Sequence, residues 1–69
     1  MNEDKEKLLQ YFEEMKGLEE STRDYYTKIS LDPSVDNQEV KDTFERIAKD
    51  EQKHADLIGE VLNIIRYNL

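Results

Sequence analysis

Along the first half of the chain, apolar side chains return at alternating steps of four and three. Leu8, Phe12, Met15, Thr22, Tyr26 and Ile29 hold this rhythm, Glu19 takes one place in it, and Tyr11, Leu18 and Tyr25 widen the stripe. The second half repeats the pattern with Val40, Phe44, Ile47, Ile58, Leu62 and Ile65, and here Glu51 and His54 fall in the series. A return every three to four residues is the signature of a helix with one apolar face. Between the halves lies Ser30-Leu31-Asp32-Pro33-Ser34-Val35-Asp36-Asn37, a run of turn formers that holds the only Pro. The pattern predicts a helix over about residues 4–30, a loop over about 31–36 and a helix over about 37–67. Similar lengths on either side of one corner make an antiparallel, all-α hairpin, with the whole chain (1–69) as one unit.

The ends of the second helix sharpen this. Asp36 reads as its N-cap, with Glu39 as the other half of a capping box and Val35 and Val40 as a hydrophobic staple. Gly59 is the only breaker within it and costs only about 1 kcal/mol. Gly17, the one glycine of the first helix, faces outward.

Composition then makes so thin a fold a problem. Of 69 residues 36% are apolar, about 25 side chains. A core that small supplies no more than about 3–5 kcal/mol without a staple. With no Cys, the chain has neither disulfides nor a Cys-built zinc or iron–sulfur site. A metal ion or a second copy is left. Seventeen acidic against ten basic residues give −7 at pH 7, which argues against nucleic acid and anionic lipid as partners. No apolar run is long enough to span a membrane or to form a secretory segment, so a cytoplasmic location is expected.

The candidate chemistry lies inside the stripes. At about 100° per residue, Glu19 falls roughly 40° from Met15, whereas Glu20 falls at about 140°, outside the apolar arc. Glu20 is the register alternative. Glu51 occupies the middle of the second arc and His54 lies about 60° from it. Carboxylates are rarely buried unless paired or bound to metal. Glu19 is about 11 residues before the corner and Glu51 about 14 after it, so the loop has roughly one turn of mismatch to absorb. Glu51 and His54, three apart, are neighbours on a helix surface and can meet one ion. A carboxylate with an imidazole suits Fe, Mn or Zn better than Ca or Mg. Tyr26, on the side of Glu19, is placed to hydrogen-bond a metal carboxylate, and Asp50 to accept the free ring N–H of His54. The plainer reading is a hydrogen-bonded Glu/His cluster in a non-catalytic dimerisation module.

Glu51-Gln52-Lys53-His54, within Ile47-Ala48-Lys49-Asp50-Glu51-Gln52-Lys53-His54-Ala55, resembles the Glu-x-x-His helix of the ferritin-like superfamily, and most of all that of rubrerythrins. Glu19, followed by Arg23 and Tyr26, resembles the rubrerythrin helix in which a Glu precedes a Tyr by about two turns. Di-metal sites of this class take one Glu from each of two helices and a Glu-x-x-His from each of the other two. This chain carries one of each. The resemblance therefore implies a homodimer that forms a ferritin-like four-helix bundle around two Fe ions per dimer, with Mn or a mixed pair also compatible. Glu19, Glu51 and His54 would be the ligands, and Tyr26 and Asp50 would support them. The implied chemistry is Fe(II) oxidation or reduction of O₂ or peroxide. An iron-storage assembly is the variant suggested by encapsulated ferritins, whose subunits are also hairpins. Without Cys there is no rubredoxin-type iron site.

Overall fold

The computed structural model describes residues 2–69, with the backbone alone described for Asn2. Helix α1 spans Asn2–Leu31 and helix α2 spans Gln38–Asn68. They pack side by side as a hairpin 53 Å long and only 14 by 10 Å across. Helix α1 runs slightly past its expected limits at both ends, α2 starts and ends one residue later than expected, and the corner occupies 32–37.

Asp32 builds the corner. Its carboxylate accepts from the backbone N–H of Ser34 at 2.8 Å and from the Ser34 hydroxyl at 2.7 Å, an Asx turn that leads the chain out of α1. The Ser34 N–H, then the Ser34 hydroxyl, hold the Asp32 carboxyl below its ordinary pKa. The N-cap of α2 is Asn37, not Asp36: Asn37 Oδ1 accepts from Val40 N at 3.0 Å. Cap and helix start therefore sit one residue later than expected. Val40 becomes the third helical residue, so the proposed box with Glu39 and staple with Val35 do not form at those positions. Either residue type can cap; the chain takes the one in extended geometry next to the helix, at φ −138° and ψ 116°.

The core is narrower than the stripes. Among the described residues, Ala48, Ala55, Ile58, Leu62 and Ile65 are its buried apolar residues, all on α2. Ala48 and Ala55 were not expected in it. They are too small to mark a stripe, yet a helix row of alanines lets α1 lie close. Much of the expected core stays in the open: Leu8, Tyr11, Met15, Leu18 and Tyr25 on α1 and Val40 on α2 are exposed. One hairpin has only one helix to cover each stripe, so half of each is left bare.

Three polar contacts pin the register. Arg66 pairs with Glu13 and accepts on its carbonyl from Lys5 Nζ at the open end. Nearer the corner, Arg23 Nη1 donates to Gln52 Oε1. Gly59 faces α1, where an added Cβ would meet Lys16 Cε at an ordinary 3.6 Å, and Gly17 faces open space.

Two predictions follow from these local features. Asn37→Ala should cost about 1 kcal/mol and Asp36→Ala much less, in urea unfolding; equal losses would return the cap to Asp36. Gly59→Ala should stabilise by about 0.5–1 kcal/mol, since the helix gains propensity and nothing clashes; a lower unfolding midpoint would contradict the packing described for Lys16.

Candidate metal centre

A helical Glu and a helical Glu-x-x-His can converge only if the corner sets the two helices in the right register. The corner does so. Glu19 on α1 and Glu51 and His54 on α2 each offer a ligand atom, all within 4.8 Å of one another. Because α1 ends at Leu31 and α2 starts at Gln38, the one-turn mismatch counted along the chain shrinks to about one residue. Arg23 and Gln52 hold that register: Arg23 lies one turn beyond Glu19, and Gln52 is next to Glu51. This tie joins a longer chain, because Arg23 also pairs with Asp24 at 2.7 Å and Gln52 donates to Asp56 at 2.8 Å. Its role was not evident from the sequence, where Arg23 stood out only as part of a family likeness.

His54 turns Nδ1 toward both carboxylates, at 3.7 Å from Glu19 Oε2 and 3.9 Å from Glu51 Oε1. An ion about 2.1 Å from each donor needs donors roughly 3–4 Å apart, so these spacings fit one ion with little side-chain movement. The donor set of two carboxylates and one imidazole suits first-row transition metals. The triad is not sunk in a core, as the stripe pattern had suggested. Glu51 and Glu19 keep 20% and 28% of their side-chain surface, and His54 keeps 56%. Among the described residues no polar side chain is fully buried. The ligand atoms lie on the open side of the hairpin, bordered by the bare halves of the apolar stripes: Met15 is one turn before Glu19, and Leu57 one turn after His54.

The two carboxyls crowd each other. A hydrogen bond with Glu19 is the largest cause of the raised pKa of Glu51, with partial burial and the Glu19 charge adding to it and His54 opposing. Without a cation between them, the neighbouring carboxyl makes the charged form of Glu51 less favourable.

The other expected site residues divide. Glu20 turns away to Lys16, 4.0 Å from its Nζ, which leaves Glu19 as the α1 member of the triad. Tyr26 is half-buried and stacks on Phe44, with ring centroids 5.5 Å apart, while Tyr25 meets Tyr26 edge-on at 6.1 Å. Among the described residues, no hydrogen bond joins Tyr26 to the triad, and none joins Asp50 to His54. Asp50 is exposed and acts on Glu51 only as a nearby negative charge. A groove of about 400 Å³ between Arg23, Thr27, Ala48 and Gln52 shares no residue with the triad.

A sequence profile described as rubrerythrin matches residues 4–69. No curated protein and no solved structure matches the chain.

The raised Glu51 carboxyl carries a pH signature in the metal-free chain. Its contribution to stability is full below the ordinary carboxyl range and is lost as pH rises through the raised value. Glu51→Gln, neutral at every pH, should therefore melt above the parent at pH 8, with the gap closing toward pH 4. A gap that widens in acid would contradict the crowding of Glu51 by Glu19.

Proposed function

This chain belongs to the rubrerythrin family, and on that footing we propose that two copies complete a di-iron carboxylate site between them. The observation that carries the reading is the half-set itself. Glu19, Glu51 and His54 converge within 4.8 Å on the bare side of a hairpin. One hairpin offers three donors, fewer than the four to six an iron ion takes up. A second hairpin facing the first brings the same three again, which makes four carboxylates and two imidazoles for two ions.

The surface supports a partner copy. A compact monomer of 8.2 kDa exposes about 4,500 Å², and this chain exposes 5439 Å². The excess of roughly 900 Å² is close to what each partner gives up in a standard interface, about 800 Å². The radius of gyration, 15.8 Å, against about 11 Å for a compact chain of this length, says the same of its shape. Along α1, Leu8, Tyr11, Met15, Leu18, Thr22, Tyr25 and Ile29 follow steps of three and four, the seam by which helices pair.

In the dimer, Glu19 and Glu51 would hold the iron pair and balance its charge, and His54 Nδ1 would cap each ion. Tyr26, fixed by its stack on Phe44, and Asp50 would stand behind the ligands and orient them. The apolar residues around the triad would keep bulk water from the pair. Iron bound there supplies one-electron steps toward O₂ or peroxide, which makes ferroxidase or peroxide-reducing activity the reading that fits best. Among the described residues, no helix is long and apolar enough to cross a membrane.

The test is anaerobic addition of Fe(II), then air. The parent protein should bind one iron per chain and develop the near-ultraviolet absorbance of an oxidised di-iron centre. Glu51→Ala should bind little and remain colourless. Equal iron binding by parent and variant, or no absorbance change in the parent, would remove the site from this function.

A further inference from the structure

We infer that the groove near the corner is a binding site for a small organic anion, a carboxylate or phosphate monoester on a short carbon body, with Lys41 as its anchor. The inference stands apart from the metal reading, because the groove shares no residue with the triad. Glu45, on its wall, lies nine residues before His54, about 180° around α2. A second copy on the triad face would therefore leave the groove open.

Small side chains make the space. Thr27 and Ser30 of α1 and Ala48 of α2 line it where larger ones would fill it. Its volume of about 400 Å³ falls within the roughly 300–1,000 Å³ of small-molecule sites. The hydroxyls of Thr27 and Ser30 donate back to the carbonyls of Arg23 and Thr27, at 2.8 and 2.7 Å, so their protons are already spent. Ala48, Leu31 and the stems of Lys41 and Lys49 offer carbon to the body of a ligand.

The charges around the groove decide what it takes. Every acid there has a donor: Asp24 accepts from Arg23 at 2.8 Å, Asp32 from Ser34, and Asp42 from Gln38 at 2.8 Å. Glu45 stands one turn beyond Lys41, where a partner for it belongs, but pairs with Lys49 at 3.4 Å instead. Lys41 is left over. It lines the groove, is half-buried, and among the described residues makes no hydrogen bond or ion pair. It acts on Asp32 only as a nearby positive charge, as Lys28 does. Three ammonium donors are thus unspent at the corner end of the groove, partly shielded from water, where an anion is held best. Arg23 and Gln52, tied to each other, close the other end. The lining carries three cations against two acids, a sum of +1, while the rest of the chain has seven against fifteen, a sum of −8. An anion repelled by most of this surface is therefore favoured here.

Amide NMR titrations of the full chain with hexanoate, hexyl phosphate, hexanamide and inorganic phosphate test this. Hexanoate or hexyl phosphate should shift the amides of Thr27, Ser30, Lys41 and Glu45 saturably, and whichever binds identifies the acid group as carboxylate or phosphate. Hexanamide, with the same body and no charge, should bind far more weakly, and so should inorganic phosphate, which has no body. Lys41→Met, which keeps the stem, should weaken binding about tenfold to a hundredfold, the worth of a hydrogen bond to a charged group. Lys41→Arg should retain it, and so should Lys28→Met, which removes a corner charge outside the groove. No saturable shift with either acid would overturn the site. Equal binding of hexanamide, or an equal loss in Lys28→Met, would overturn the role of Lys41. Inorganic phosphate binding as tightly as hexyl phosphate would overturn the organic body.

Discussion

Two carboxylates that face each other on a hairpin too thin to bury them are the constraint from which the rest of this molecule is understood. Glu19 makes the charged form of Glu51 less favourable, and within one chain His54 is the neighbour that opposes this. Everything nearby serves to keep them in place. The Asx turn at Asp32 and the cap at Asn37 set how α2 leaves the corner. Ala48 and Ala55 let the helices lie close, and Arg23 with Gln52 fixes their register beside the site.

The same thinness explains the outer surface. A two-helix hairpin cannot cover an apolar stripe three residues wide. What is left over is continuous with the triad, so the three possible ligands and the uncovered apolar side chains lie on one face. The proposed second copy would cover both in one contact, which would give the likeness to a four-helix family a physical basis in half the helices.

Much of this was legible in the residue pattern. The 3–4 spacing and the turn formers around Pro33 placed both helices, and Glu19, Glu51 and His54 stood out because they interrupt apolar faces. Other features were not legible, for definite reasons. Asp36 and Asn37 are both competent caps, and only backbone geometry chooses between them. Ile58, Leu62 and Ile65 stood in the α2 stripe and are buried, but alanines carry too little hydrophobic weight to announce a buried row, so Ala48 and Ala55 went unseen. Periodicity shows that Tyr11, Leu18 and Tyr25 share an apolar face, but not whether their own hairpin or another body covers it. Glu19 and Glu20 differ by one 100° step, a choice made plain by the pairing of Glu20 with Lys16. Tyr26 and Asp50 illustrate the weaker case: proximity along a helix face placed them near the triad, but hydrogen bonds to it depend on rotamers that spacing does not determine.

Native mass spectrometry of freshly purified protein, read together with its metal content, tests the central claim most directly. The account predicts a species of twice 8.2 kDa that carries two transition-metal ions. A single chain of 8.2 kDa that holds no metal and takes none up when Fe(II) is supplied would contradict it.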